Sequence, residues 1–338
     1  LRNIGRLDPE VKPLVRCEEA FAYRNKVQLP VKVEKGKMVT GFYRVNSHDI
    51  IPADYCYLQS EKANTMVEEI KRLADLKGIG EHIRHLVIKD YRNSGQMMIV
   101  IVTDRENIGG LKEMALQLMK KDKCVKSVIQ NVNSERTNVI LGKKDIVLAG
   151  SDRVEDEING LRFEIAAHSF YQVNSRQTAK LYQLAVDAAE LSREDTVVDL
   201  YCGVGTIGLF AAGHVKKVIG VEIVESAVIN ARRNAQINGI SNAEFICGDA
   251  EKVMESFKGK VDVVFVDPPR KGCSEKTLKS LLRVGSCKIV YVSCNPATLA
   301  RDLQFLCSNG YEVSYCQPVD MFPQTYHVET VCLLTHNG

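Results

Sequence analysis

Two side chains near the end of the chain have the types and settings that covalent chemistry requires. Cys294 lies in KIVYVSCNP (288–296), where an apolar strand pattern gives way to Asn295-Pro296 and a helix start. The positive end of a helix dipole favours a thiolate, and the thiolate is the nucleophilic form of cysteine. Glu329 lies on the last strand pattern, HVETVCLLT (327–335). A carboxylate partly shielded from water holds its proton nearer to neutral pH and can serve as a general base. Thiolate and base together suit an addition–elimination, in which sulfur adds to a polarised double bond and leaves after the base has removed a proton. The other ten cysteines read as small apolar residues, with Cys202 the rival because it sits in a glycine-rich turn. His327 shares the face of Glu329 and reads as a structural histidine.

A second constellation is a nucleotide site. Gly203, Gly205 and Gly208 form GxGxxG between a strand ending at Tyr201 and a helix. Glycines there let the chain turn tightly and bring backbone N–H groups close to a ligand. Glu222 ends the next strand, where a carboxylate can accept ribose hydroxyls. That much fits a dinucleotide equally well. Asp249 after the third strand, placed to face adenine, and Asp267-Pro268-Pro269-Arg270 at the tip of the fourth point instead to S-adenosylmethionine. The prolines stiffen a loop at the carboxyl edge of a sheet, and a dehydrogenase has no evident use for it.

The elements that position these residues change rhythm near residue 174. Before it, VQLPV (27–31), MVTGFYR (38–44), HLVIKDYR (85–92) and QMMIVIVT (96–103) are strand-like, with a hairpin turn at 93–95. SVIQNVN (127–133) and IVLAG (146–150) are further strand candidates. Residues 61–76 and 110–121 have helical spacing, with Met66, Ile70 and Leu73 on one face. After it, a helix to about Leu191, capped by Asn174 or Ser175, leads to strands at 196–201, 217–222, 243–249, 261–270 and 288–296. A short helix follows the first strand, one to about Asn238 the second and one to about Leu306 the fifth. Two last strands, 311–319 and 327–335, have no helix between them and predict an antiparallel edge hairpin. The expectation is an α/β protein: a Rossmann-like, mostly parallel seven-stranded sheet in a catalytic domain (171–338), preceded by a smaller α+β domain (1–170).

The chain has 45 basic and 42 acidic residues, and residues 1–170 hold 28 and 24 of them. The first half thus leans weakly toward a polyanion. No apolar run reaches the roughly 18 residues of a membrane span, so no membrane partner is expected. Eleven irregularly spaced cysteines without a CxxC pair argue for a reducing cytoplasm and against a disulfide framework or a self-contained zinc site. The opening LRNIGRL reads like a helix already under way, as in a fragment.

FYQVN (170–174), DLYCGVG (199–205), DPPR (267–270), SCNP (293–296) and PQTYHVE (323–329) together resemble the RNA uracil-5-methyltransferase family, co-linearly over about residues 165–338. FYQVN and QNVNSERTNVI (130–140) are more similar to the 23S rRNA enzymes than to the tRNA enzymes. The resemblance implies methylation of uridine carbon 5 by a Cys294 adduct at carbon 6, with Glu329 as base. It places Gln172 at the junction of cofactor and uracil, Tyr201 beside the methionine part of S-adenosylmethionine, Glu222 at the ribose, and Asp267 and Arg270 at the substrate. Thr206 departs from the asparagine that rRNA members often have in the glycine turn. The family often carries an OB-like domain and an iron–sulfur segment before this region, with Cys56 most like a fourth cluster ligand; one cysteine holds no cluster, so no metal is expected. RNA, read as 23S rRNA, is the expected partner of a monomer. Arg24, Lys26, Lys32, Lys35 and Lys37 around Phe21, Tyr23, Phe42 and Tyr43 could grip backbone and stack bases, or form an ordinary solvated face. Cytosine-5 methylation, a tRNA target and a non-catalytic RNA-binding scaffold are the alternatives, with a NAD-dependent dehydrogenase third.

Overall fold

The computed structural model describes residues 1–135 and 137–336, so Arg136 in the 130–140 string and residues 337–338 lie outside the described residues. A single helical turn, α1 (Arg2–Gly5), is followed by the meander β1 (Lys26–Glu34), β2 (Lys37–Tyr43) and β3 (Ile50–Pro52). Helix α2 (Glu61–Lys77) starts on Ser60, whose hydroxyl accepts from Ala63 N at 3.0 Å, and stops at Gly78 with φ 63°. The expected hairpin is β4 (Ile83–Tyr91) and β5 (Gln96–Thr103); α3 (Leu111–Lys121) then crosses to β6 (Val125–Val132), and β7 (Lys144–Gly150) follows. The sheet runs β3-β2-β1-β4-β5-β6-β7 and is antiparallel except where α3 makes β5 and β6 parallel.

Strand β5 shows no polar alternation because both of its faces are covered. Met97, Ile99 and Ile101 pack under α2 and α3 with Met66, Ile70, Met114 and Leu118. Met98, Val100 and Val102 pack the other way, against Phe163, Ile165, Val204 and Phe245. Part of that second cover is a hairpin, β8 (Arg153–Ile158) and β9 (Leu161–Ala166), which the sequence patterns did not show. Its alternation is disguised by acids: Val154, Asp156 and Ile158 point inward while Glu155 and Glu157 point out.

The second sheet is built from α4 (Ser175–Ala189), β10 (Thr196–Leu200), α5 (Thr206–Ala212), β11 (Lys217–Glu222), α6 (Glu225–Ile237), β12 (Ala243–Cys247), α7 (Ala250–Ser256), β13 (Val263–Val266), α8 (Glu275–Val284), β14 (Lys288–Ser293), α9 (Pro296–Cys307), β15 (Tyr311–Val319) and β16 (Glu329–His336). Asn174 caps α4 by accepting from Gln177 N at 3.2 Å. Strand order is β12-β11-β10-β13-β14-β16-β15, parallel through β14 and antiparallel on both sides of β16. Leu181, Tyr182 and Ile207 cover one face, and Leu278, Leu281, Leu299 and Leu303 the other. Residues 12–15 run beside the β15 edge, where Lys12 N donates to Cys316 O at 2.9 Å and Val15 bridges Val319. Among the described residues no helix is long and apolar enough to cross a membrane.

Candidate active site

Chain order reverses between β10 and β13, and ligands of doubly wound sheets bind at the carboxyl ends of such strands. A cavity of about 810 Å³ opens there. Its floor is the turn after β10, where Tyr201, Gly203 and Gly205 all have positive φ (63°, 56° and 85°). A Cβ on Gly205 would come within 2.9 Å of the Phe245 ring, whereas one on Gly203 would meet nothing within 4 Å. Gly205 is therefore fixed by packing, and Gly203 presents bare backbone to a ligand. Gly208 N donates to Asp199 Oδ2 at 2.8 Å, which ties α5 to the middle of the sheet. Glu222 accepts from Gly203 N at 3.1 Å and from Val224 N at 2.9 Å, bracing the turn from β11.

The opposite wall carries the reactive groups. Ser293, the last residue of β14, pairs with Thr330 on β16, so Cys294 just after one strand and Glu329 at the start of the other come to the same end of the sheet. Both line the cavity, and the Glu329 charge acts on the Cys294 thiol. Asp267 follows β13 and lines the same cavity, as do Gln172, Tyr201, Glu222 and Arg270. Asn295 Nδ2 and Thr298 Oγ1 donate to Arg270 O at 3.1 and 3.2 Å, fastening the DPPR loop to the start of α9 beside the thiol. The Arg270 guanidinium reaches His327 Nε2 at 3.1 Å, so the histidine is paired, as its structural reading expected.

The electrostatics differ from what a helix start alone implies. Burial, and then the Glu329 and Asp267 charges, push the Cys294 thiol up; Arg270 acts the other way and does not prevail. Burial and Asp267 likewise hold the Glu329 carboxyl well above the usual carboxylate range, and burial raises Asp267. The carboxyl is thereby suited to accept a proton above the ordinary carboxylate range, while the thiol needs help to ionise.

Asp249 is not itself in the lining but stands close enough to Tyr201 for its charge to act on that hydroxyl, and its carboxylate caps α7, accepting from Glu251 N at 2.9 Å. Cys202 is buried behind the glycine turn, and burial pushes its thiol well above the usual range. Cys56 gains no support as a cluster ligand, since no group of three or more metal-type side chains is gathered among the described residues. Three contributors escaped the sequence patterns. Asn25 Nδ2 donates to Gln172 O at 2.9 Å and to Ser175 Oγ at 2.8 Å, and its N–H donates to Val173 O at 2.8 Å, so β1 holds the loop that carries Gln172. Tyr182 lines the cavity with its hydroxyl 3.2 Å from Thr206 Oγ1. Asp199 lines it too, and its Oδ1 is buried without a partner among the described residues. An acid inside the apolar run TVVDLY was the available signal for it. The open space at Gly203, the orphaned acceptor and the cavity's size fit a nucleoside-sized cofactor.

Residues 12–337 match the family described as tRNA (uracil-5-)-methyltransferase. Uncharacterized RNA methyltransferases of Halalkalibacterium halodurans and Listeria innocua are 45% and 44% identical over 99% of this chain and 76% of their own length. The structure of the Pyrococcus abyssi tRNA (uracil-54, C5)-methyltransferase in complex with S-adenosyl-L-homocysteine superposes with a TM-score of 0.80. It is 29% identical and covers 99% of this chain and 80% of that one.

Proposed function

We propose, because the chain belongs to the tRNA (uracil-5-)-methyltransferase family, that it methylates carbon 5 of a uridine in RNA with S-adenosylmethionine, through a covalent adduct on Cys294. The observation that carries the reading is the gathering of Cys294, Glu329, Asp267 and Arg270 in one cavity, where the last three charges all act on the thiol. Bound S-adenosylmethionine supplies an electrophilic methyl group. Gly203 and Gly205 would hold it along the turn, with Tyr201 beside the methionine part, Glu222 at the ribose and Asp249 at adenine. Gln172 and Asp267 would lie between cofactor and base.

Cys294 gives up its proton and its sulfur bonds to carbon 6 of uracil, sending the ring electrons toward carbon 5 and the carbonyl oxygen. The thiol proton leaves to solvent, so Glu329 stays ionised; its proton affinity, raised by burial and by Asp267, suits it to take the later proton from carbon 5. After carbon 5 is methylated, Glu329 removes the remaining hydrogen there, the ring electrons return, and the sulfur–carbon bond breaks. Arg270 offsets negative charge as the thiolate forms.

The target is read as ribosomal RNA from the FYQVN and 130–140 strings, with residues 1–170 gripping RNA and 171–338 performing the chemistry. A tRNA target is favoured by one observation, the match to the tRNA (uracil-54, C5)-methyltransferase. An RNA substrate and the irregularly spaced cysteines support a cytoplasmic enzyme, which is read as a monomer. The test is tritium release from RNA labelled at carbon 5 of uridine, with cytidine-labelled RNA in parallel and 23S rRNA compared with tRNA. Uridine-specific release that depends on S-adenosylmethionine is expected. Release from cytidine alone would replace the reading with cytosine methylation.

A further inference from the structure

We propose that three exposed aromatic side chains beside the cavity mouth, Phe21, Tyr55 and Tyr57, form a platform that stacks unpaired nucleotides flanking the target uridine. The proposal rests on the RNA reading above. Phe21, Tyr55 and Tyr57 are 54%, 50% and 71% exposed, although aromatic rings are the side chains that gain most from burial. The Phe21 and Tyr57 centroids lie 6.4 Å apart and those of Tyr55 and Tyr57 5.0 Å apart, both pairs edge to face. They are one cluster rather than three scattered surface residues.

The backbone beneath the rings is pinned. Ala22 N donates to Tyr57 O at 2.7 Å and Arg24 N to Leu58 O at 2.8 Å, joining the two segments side by side. The buried Asn64 side chain on α2 accepts from Cys56 N at 2.9 Å and donates to Cys56 O at 3.1 Å, clamping the turn between the two tyrosines. Rings held rigidly in water lose little conformational freedom when a base settles on them.

Position and charge select RNA as the occupant. Arg24 lines the cavity that holds Cys294 and Glu329, and Phe21 lies three residues before it. That is at most roughly 10 Å of chain, or about three nucleotides stacked at ~3.4 Å each. Burial first, and then the Arg270 and Arg24 charges, lower the proton affinity of His327, so both guanidinium groups stand close to it at the mouth of the cavity. The neighbouring carboxylates are engaged: Glu19 pairs with Arg92 and Arg176, and Asp54 with Lys71. Phe170 and Tyr326, 69% and 91% exposed, continue the aromatic surface along the cavity lining. Aromatic faces interleaved with guanidinium groups that have no carboxylate partner among the described residues suit a single strand, whose bases stack while its phosphates meet the arginines.

The chain has no tryptophan, so Tyr57→Trp installs a single fluorescent reporter on the platform. Titrating it with a single-stranded RNA of about a dozen nucleotides around one uridine should quench that fluorescence as the RNA binds. Tyr57→Ala and the Phe21→Ala/Tyr57→Ala pair should raise the Kd for this RNA, by anisotropy, about 5- to 100-fold. Tyr57→Phe should bind as the wild type does, and S-adenosylmethionine affinity and kcat at saturating RNA should not move. Unchanged RNA affinity in the alanine variants, or an unquenched reporter on an RNA-bound protein, would overturn the platform; a patch made for a protein partner gives that result. Affinity needs no turnover, so wild-type methylation is scored separately. RNA held on the platform without uridine methylation would overturn the functional reading and leave the platform standing.

Discussion

The two large sheets have the same number of strands, and each is packed on both faces, yet only the second gathers reactive groups. The difference lies in strand direction. In the first sheet antiparallel neighbours send successive strand ends to opposite edges, so no edge collects many tips. In the second, β10 to β14 all end at one edge, and Tyr201, Glu222, Asp267 and Cys294 follow their ends there. The reversal of order at β10 and β13 opens the crevice between them. The antiparallel β16 then adds what the parallel strands cannot, a residue at a strand's start, Glu329, brought to the edge where Cys294 follows β14. A site is thus set less by how much core a sheet buries than by where its strands stop.

Removing groups from that edge should be far more damaging to turnover than anything done to the first sheet. Cys294→Ala should lower uridine methylation roughly 10⁴-fold or more, with S-adenosylmethionine affinity nearly unchanged. Tritium release together with a calorimetric Kd checks both halves, and substantial residual release would end covalent catalysis by this residue. Glu329→Gln should cost about 10²- to 10⁴-fold. It should still allow methyl transfer but stall elimination, so that a protein–RNA adduct accumulates on a denaturing gel. Consumption of S-adenosylmethionine without an adduct would move the base elsewhere. The wild-type rate should also carry the signature of Glu329. Its carboxyl is raised by burial and by Asp267, so the basic form grows in only above the ordinary carboxylate range. Elimination should therefore speed up as pH rises through that raised value. A profile already flat above pH 5 would assign the proton to another group.

How far the sequence foretold each half follows the same divide. The parallel half was legible because each strand is a short apolar run punctuated by a motif, and β14, β15 and β16 fall where those runs predict. The hairpin β8–β9 was not, because an inward Asp156 among outward glutamates broke the apolar alternation that marks a strand. Helices α7 and α8 were passed over as short stretches between louder motifs. In the supposed RNA-gripping string, Tyr23 is buried with its hydroxyl on Pro323 O, and Lys26 is half-buried, its amine pushed down by burial. Phe21 stays exposed but partners Tyr57, 36 positions later, which no local pattern could reveal. Asp249 had the right place in a motif, while its role as the cap of α7 depends on the helix that went unnoticed.

Asn25 is where the two halves meet, and it sharpens the comparison. Its side chain reaches from β1 to the Gln172 carbonyl and to Ser175, so the first sheet positions a loop of the second. Asn25→Ala removes both bonds and leaves the buried Gln172 carbonyl without this donor, at a cost of about 1–3 kcal/mol. The expected result is a fall in kcat/KM of about 10-fold with S-adenosylmethionine affinity little changed. Asn25→Asp, which keeps the shape but cannot donate, should behave like the alanine variant. Recovery of activity in Asn25→Asp would show that the loop is held by packing alone.

Each sheet also buries ionisable groups, and the contrast between Lys89 and Asp199 separates a structural burial from a functional one. Lys89 on β4 is fully buried, but its Nζ donates to Ala166 O at 2.7 Å and Ser169 O at 3.3 Å. Asp199 on β10 has Gly208 N on one oxygen and no partner among the described residues on the other. Burial pushes its carboxyl up to about 8, from 3.8. Between those values the folded chain keeps a proton that the unfolded chain has lost, so stability falls as pH rises through this window, by at most about 1.4 kcal/mol per pH unit. Asp199→Asn removes the titration while retaining an oxygen to accept from Gly208. Its melting temperature should therefore gain on the wild type by a few degrees between pH 5 and pH 8. A gap that stays constant with pH would mean that Asp199 is solvated through the cavity, and that the second sheet stores no such strain.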